Sequence, residues 1–149
     1  MNYSKGTDHT AEQKHAEVKP EVVVEIIAAA TDRRSLNELL RGAGWKSEVC
    51  DSLAAAMPLL SAASVVMCDE KLADGNWRDV LSQLETLPAS PALIVTSRLA
   101  DERLWAEVLN LGAYDLLLAP FQEEEVLRTI EGACNSISRS QKRAAAAGQ

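Results

Sequence analysis

The chain has few cysteines, only two histidines and no excess of positive charge. Cys50, Cys68 and Cys134 form no CxxC pair, which fits a reducing compartment where thiols are small buried hydrophobes. The net charge of -7 argues against a nucleic-acid or anionic-membrane binder, because such proteins rely on Lys and Arg clusters. No apolar run has the length of a membrane span, and the polar N-terminus lacks the apolar core of a signal peptide. We therefore expect a soluble cytoplasmic protein.

The composition predicts one folded domain with a polar tail at each end. A length of 149 residues suits a single domain, and a hydrophobic fraction of 47% is enough to fill its core. Residues 1–19 contain almost no large apolar side chains, so we expect a disordered tail in which His9 and His15 are solvated. We place the domain at residues 20–137 and a C-terminal tail at residues 138–149.

Short apolar segments alternate with segments of helical periodicity inside these bounds. Thr31 or Asp32 is expected to cap the first helix, and Pro58 predicts a short or bent second helix. Near-continuous apolar strands joined by helices indicate a parallel sheet covered on both faces. Right-handed crossovers then favour the flavodoxin-like strand order 2-1-3-4-5. The five predicted strands are Val22–Ile27, Lys46–Cys50, Ser64–Cys68, Ala92–Val95 and Tyr114–Leu118.

The polar residues of interest follow the strands. In this strand order the functional crevice lies at the carboxyl ends of strands one and three. Asp69 directly follows strand three, and Thr96 directly follows strand four. After strand five the chain reads Ala119-Pro120-Phe121. Asp69 is therefore the residue on which a functional site would be centred.

These motifs, in this order and spacing, resemble the receiver domain of bacterial two-component response regulators (CheY-like) over about residues 21–137. The resemblance implies that Asp69 is the phosphoacceptor, that Thr96 contacts the phosphoryl group, and that Ala119 occupies the position of a lysine. It implies a Mg²⁺ ion held by Asp69, by an acidic pair after strand one and by the backbone carbonyl of Lys71. It also implies a histidine kinase or phosphotransfer protein as partner, and a contact or homodimer surface on helix four, strand five and helix five.

The sequence departs from the family pattern at the charged residues, namely the acidic pair and the lysine. Ile27-Ala28-Ala29-Ala30 stands where the acidic pair belongs, while Asp32 lies about one helical turn late. Glu70 is expected to point to the opposite side, and Ala119 removes the lysine. Because Mg²⁺ needs several oxygen ligands, we expect its binding to be weak or absent. Asp69 is then expected to be phosphorylated slowly or not at all.

The switch-aromatic position of the family is also changed. Leu116 occupies it, and Tyr114 lies two residues earlier, where it is expected on the same strand face.

Three functions remain open at this point. The leading hypothesis is a receiver module of a phosphorelay, with Asp69 as phosphoacceptor or its remnant, that signals through protein–protein contacts. The first alternative is a pseudo-receiver that works without phosphorylation. The second is a flavodoxin-like small-molecule binder, although residues 28–31 lack the glycines of a phosphate-binding loop. An enzyme is not expected, because the folded region has no histidine and no nucleophile elbow. Direct DNA binding is not expected either.

Overall fold

In the computed structural model of the protein, residues 22–99 and 101–147 are described, with side chains up to residue 137. The tail predicted at residues 1–19, with His9 and His15, lies outside the described residues. None of the helices in the described ranges is long and apolar enough to cross a membrane.

Five strands form one parallel sheet in the order β2-β1-β3-β4-β5, which confirms the predicted flavodoxin-like topology. The strands are β1 (Val22–Ile26), β2 (Lys46–Cys50), β3 (Val65–Asp69), β4 (Ala92–Ser97) and β5 (Asp115–Leu118). The helices are α1 (Ala30–Gly42), α2 (Leu53–Ala56), α3 (Trp77–Glu85), α4 (Glu102–Leu111) and α5 (Glu123–Ala147). A 3-10 helix, Met57–Ala62, continues α2.

The strands bury both of their faces, as their continuous apolar sequences predict. Val24 and Ile26 of β1 face a core shared with α2, α3 and α4. Val23 and Ile27 face a second core, which contains Leu36 of α1 and other apolar residues of α1 and α5. The sheet is therefore covered on both sides, and its carboxyl-terminal edge remains accessible.

The first two helices begin in different ways. At α1 the N-cap position is Ala29, which offers no side-chain acceptor, so the expected cap by Thr31 or Asp32 was wrong. At α2 the Ser52 side chain accepts a hydrogen bond from the Ala55 N–H at 3.1 Å. Pro58 limits α2 to four residues before the 3-10 segment, as predicted.

The last helix, α5, continues past residue 137, where the sequence analysis ends the domain, and reaches Ala147. The chain after residue 137 is rich in alanine, the residue with the highest helix propensity, which accounts for the extension. The helix thus runs through most of the segment predicted as a C-terminal tail.

Candidate functional site

Asp69 ends β3 at the accessible edge of the sheet, between β1 and β4. Its Oδ2 atom accepts a hydrogen bond from the Ala28 N–H at 2.7 Å. Its Oδ1 atom accepts one from the Thr96 hydroxyl, also at 2.7 Å. Asp69 and Thr96 are register partners across β3 and β4, so the sheet itself brings this predicted pair together. Both carboxylate oxygens are thus engaged by donors of the same chain.

A cavity of about 340 Å³ opens beside Asp69. Ala28, Ala29 and Ala119 line it, and their side chains are only methyl groups where the family pattern has acids and a lysine. The remaining lining consists of polar and charged side chains with one apolar exception: Asp32, Asp69, Glu70, Lys71, Thr96, Ser97, Arg98 and Leu99. The three alanines therefore leave space that longer charged side chains would otherwise occupy.

An ion pair in this cavity was not predicted. The Arg98 guanidinium Nη2 lies 2.6 Å from Asp32 Oδ1, and the Asp32 side chain is only 12% exposed. Two signals in the sequence point to this pair. Arg98 comes two residues after Thr96, and Asp32 lies in the first turn of the helix that follows β1. Both segments meet at the carboxyl edge of a parallel sheet, so their side chains can reach one another.

Glu70 does not point away from the site as expected. It lines the same cavity as Asp69, and its Oε1 accepts a hydrogen bond from the Ser97 hydroxyl at 3.2 Å. The Ser97 oxygen in turn accepts one from the Leu99 N–H at 3.1 Å. These contacts fix the segment after β4 against the segment after β3.

The segment after Asp69 is held by a short hairpin. Lys71–Leu72 pairs antiparallel with Gly75–Asn76, and the Asp74 carboxylate at the turn accepts hydrogen bonds from the Leu53 and Ala54 N–H groups at 2.9 Å each. These backbone donors at the N-terminus of α2 lower the pKa of Asp74. The Lys71 side chain is exposed, and the role of its carbonyl as a metal ligand stays a prediction.

The cavity does not offer the donor set that Mg²⁺ requires. Magnesium favours about six oxygen ligands in octahedral order. Among residues 22–99 and 101–147, no group of three or more His, Cys, Asp or Glu side chains is placed to hold a metal ion. Asp69 already accepts two internal hydrogen bonds, and Asp32 is paired with Arg98. The residues present therefore do not fit the metal that the family resemblance implies.

Tyr114 does not share a strand face with Leu116, contrary to expectation. Leu116 is buried in the core beneath α3 and α4. Tyr114 precedes β5, and its hydroxyl lies against α5, where a Cβ atom at Gly132 would come within 2.5 Å of it. The tyrosine therefore lies against α5.

Glu25 and Cys68 are titratable groups buried inside the sheet. Glu25 of β1 is fully buried, and neither of its carboxylate oxygens has a hydrogen-bond partner in the described structure. Burial raises the pKa of Glu25 to about 7, and the nearby Ser47 offsets only part of this rise. Burial also raises the pKa of the Cys68 thiol, as expected for an unreactive strand residue next to Asp69.

Comparison with known proteins identifies the fold. No protein-family profile matches the chain, and no curated protein is significantly similar to it in sequence. A receiver domain protein from Clostridium thermocellum superimposes with a TM-score of 0.70 at 19% identity, over 78% of this chain and 95% of that one. A CheY-like receiver domain protein from Methanospirillum hungatei JF-1 gives 0.71 at 15% identity, over 82% and 99%. The beryllofluoride-activated NtrC4 receiver domain dimer gives 0.70 at 21% identity, over 78% and 98%.

The chain therefore has the CheY-like fold of response-regulator receiver domains, as the resemblance in its motifs implied. These neighbours share about a fifth or less of its sequence. The comparison accordingly establishes the fold, and the roles of Asp69 and Thr96 have to be argued from their surroundings in this chain.

Proposed function

We propose that the chain is a pseudo-receiver: a signalling module that acts through protein–protein contacts without Mg²⁺-dependent phosphorylation of Asp69. The observation that supports this most directly is that both oxygens of the Asp69 carboxylate accept hydrogen bonds from the same chain. Ala28 N–H and the Thr96 hydroxyl each donate to one oxygen, so the group is held by its own chain. Asp69 is then the remnant of a phosphoacceptor and serves as a structural link between β1, β3 and β4.

Electrostatics supports the same proposal. Phosphoryl transfer depends on cations that neutralise the charge developing on the transferred group. Ala28 and Ala119 provide no charge where the family pattern has an acid and a lysine. Losing a charge-assisted partner at such a site costs on the order of 2 kcal/mol or more. Without these groups, an acyl phosphate on Asp69 would form slowly and would lack its usual stabilisation.

The orientation of the Thr96 hydroxyl supports signalling that does not depend on phosphorylation. In the family pattern this hydroxyl turns inward to contact the phosphoryl group. In this chain it already points inward and bonds to Asp69 itself, and the threonine is 1% exposed. The inward arrangement therefore needs no phosphoryl group, which suits a constitutive binding surface.

We place the contact surface on α4, β5 and α5. Trp105 and Leu109 are one turn apart on α4 and are both exposed, as is Leu118 on β5. A histidine kinase, a phosphotransfer protein or a second copy of the chain are the partners that the receiver fold suggests. The cytoplasm is the compartment we propose, since Cys50 and Cys68 are buried free thiols.

The proposal is tested by incubating the chain with acetyl phosphate and Mg²⁺ and measuring its intact mass. We expect no phosphoryl adduct on the wild-type chain and no change in its amide NMR spectrum on adding beryllofluoride. The matched variant restores two charged groups, Ala28→Asp and Ala119→Lys, and is expected to gain an adduct. A stable adduct on wild-type Asp69 would overturn the proposal.

A phosphorelay receiver is the second candidate. The observation that favours it is the retained pair of Asp69 and Thr96 beside an open cavity. In that case acetyl phosphate would modify Asp69, and the amide signals of Thr96 and β5 would shift with it. The mass measurement therefore separates the two candidates directly.

A further inference from the structure

Arg98 is a charged residue of this cavity to which the receiver resemblance assigns no role. It follows β4 by one residue, and its guanidinium reaches across the cavity to Asp32 on α1. The N–O distance is 2.6 Å, which is a short, charge-assisted hydrogen bond. This contact links the segment after β4 to the helix after β1.

The two partners differ in their exposure to solvent. The Asp32 side chain is 12% exposed, whereas that of Arg98 is 56% exposed. A largely buried carboxylate loses hydration and needs a compensating charge, while an exposed guanidinium does not. Asp32 therefore depends on Arg98 more than Arg98 depends on Asp32.

The cavity is lined by more negatively than positively charged side chains. Asp32, Asp69 and Glu70 line it together with Lys71 and Arg98. Two carboxylates that share a cavity disfavour each other unless a cation lies between or beside them. In receiver domains a divalent metal serves this purpose, but the donor set of this chain does not fit one.

We infer that Arg98 is a resident counter-ion that takes the place of the divalent metal in this crevice. A metal ion in this cavity would need the carboxylates of Asp32 and Asp69. The Arg98 guanidinium binds Asp32, so it neutralises that carboxylate and blocks a metal ion from reaching it. This inference rests on the proposed function and adds a reason why the module works without metal. The guanidinium of Arg98 supplies the positive charge in the cavity, so no metal ion is needed there. The protein does not have to bind Mg²⁺ in order to hold the segment after β4 in place.

The inference is tested by titrating the full-length chain with Mn²⁺ and following paramagnetic broadening of the backbone amide signals. For the wild type we expect no broadening confined to the cavity. Arg98→Gln leaves Asp32 without its partner, and we expect Mn²⁺ to bind about tenfold or more tightly than to the wild type, with broadening at Ala28 and Asp69.

Three further variants make the result specific. Arg103→Gln removes the same charge from an exposed site on α4 outside the cavity, and should bind Mn²⁺ no better than the wild type. Adding Asp32→Asn to Arg98→Gln should abolish the gain. Arg98→Lys keeps a positive charge and should still exclude Mn²⁺, which provides a test even where Arg98→Gln folds poorly.

Several outcomes would overturn the inference. One is specific Mn²⁺ binding by the wild type at Asp32 and Asp69. Others are an Arg98→Gln protein that binds Mn²⁺ no more tightly than the wild type, and an Arg98→Lys protein that binds Mn²⁺ in the cavity. The last is an Arg103→Gln protein whose Mn²⁺ affinity rises as much as that of Arg98→Gln. Failure of the proposed function would look different, because it would appear as an acyl phosphate on Asp69 in the mass measurement. A stable acyl phosphate on wild-type Asp69, formed while the cavity still binds no Mn²⁺, would remove the pseudo-receiver proposal and leave the counter-ion role intact.

Discussion

At the scale of single residues, Asp69 has two properties that conventional phosphorylation tests do not separate. It is a negative charge, and it is a pair of hydrogen-bond acceptors for Ala28 N–H and the Thr96 hydroxyl. A phosphoacceptor requires the charged, nucleophilic carboxylate. A structural link requires only a group of the same shape with acceptors in the right places.

Asparagine at this position separates the two roles. Its Oδ1 can accept from Ala28 N–H, and its Nδ2 can donate to Thr96, whose hydroxyl both donates and accepts. We expect Asp69→Asn to unfold in urea with a free energy within about 0.5 kcal/mol of wild type, and Asp69→Ala to lose about 1–2 kcal/mol. An Asp69→Asn protein as unstable as Asp69→Ala would show that the charge itself holds the site together.

At the scale of elements, the Tyr114 hydroxyl occupies the space beside α5 that a side chain at Gly132 would need. Gly132 lies inside α5, where glycine is a poor helix former, yet a Cβ atom there would meet the tyrosine oxygen at 2.5 Å. The ring carbon Cζ would be 3.5 Å away, which is an ordinary contact. The hydroxyl oxygen alone therefore accounts for the need for glycine at this position.

This geometry predicts coupling between two substitutions. Gly132→Ala should stabilise the Tyr114→Phe protein by about 1 kcal/mol, because alanine has the higher helix propensity and the clashing oxygen is gone. In the wild type the same change should gain less or destabilise, since the tyrosine must move. A double-mutant cycle in urea measures the difference.

Gly42→Ala provides the control for that cycle. A Cβ atom there meets nothing within 4 Å, so its effect should be the same with tyrosine or phenylalanine at position 114. Equal effects of Gly132→Ala in both backgrounds would contradict the predicted contact.

At the scale of the whole molecule, the parts that follow from local patterns were predictable and the parts that depend on side-chain reach were not. The strand order followed from short apolar strands and crossover rules, and Asp69 and Thr96 were placed by the ends of their strands. The ion pair between Asp32 and Arg98 joins residues 66 positions apart, and no periodicity encodes it.

Glu25 lies inside the sheet, on β1 between β2 and β3. In register it faces Val49 on β2 and Met67 on β3, and it has no hydrogen-bond partner in the described structure. The Ser47 side chain lies near it, but the Ser47 hydroxyl donates to Asn37 Oδ1 at 2.5 Å. The carboxyl is therefore buried in a mainly apolar setting, and its pKa is raised to about 7.

A raised pKa in the folded state makes stability depend on pH in a definite direction. The folded chain binds the Glu25 proton more tightly than the unfolded chain, whose pKa is 4.5. The stabilisation is therefore complete below pH 4.5 and is lost as pH rises through about 7. Between pH 5 and pH 8 the loss should be roughly 2 to 3 kcal/mol for this group.

Glu25→Gln removes the titration, so the wild-type free energy of unfolding minus that of the variant should fall by this amount. Urea unfolding of both proteins across this range measures the difference and cancels the other titrating groups. A difference that does not change with pH would show that the carboxyl does not titrate as a buried, unpartnered group.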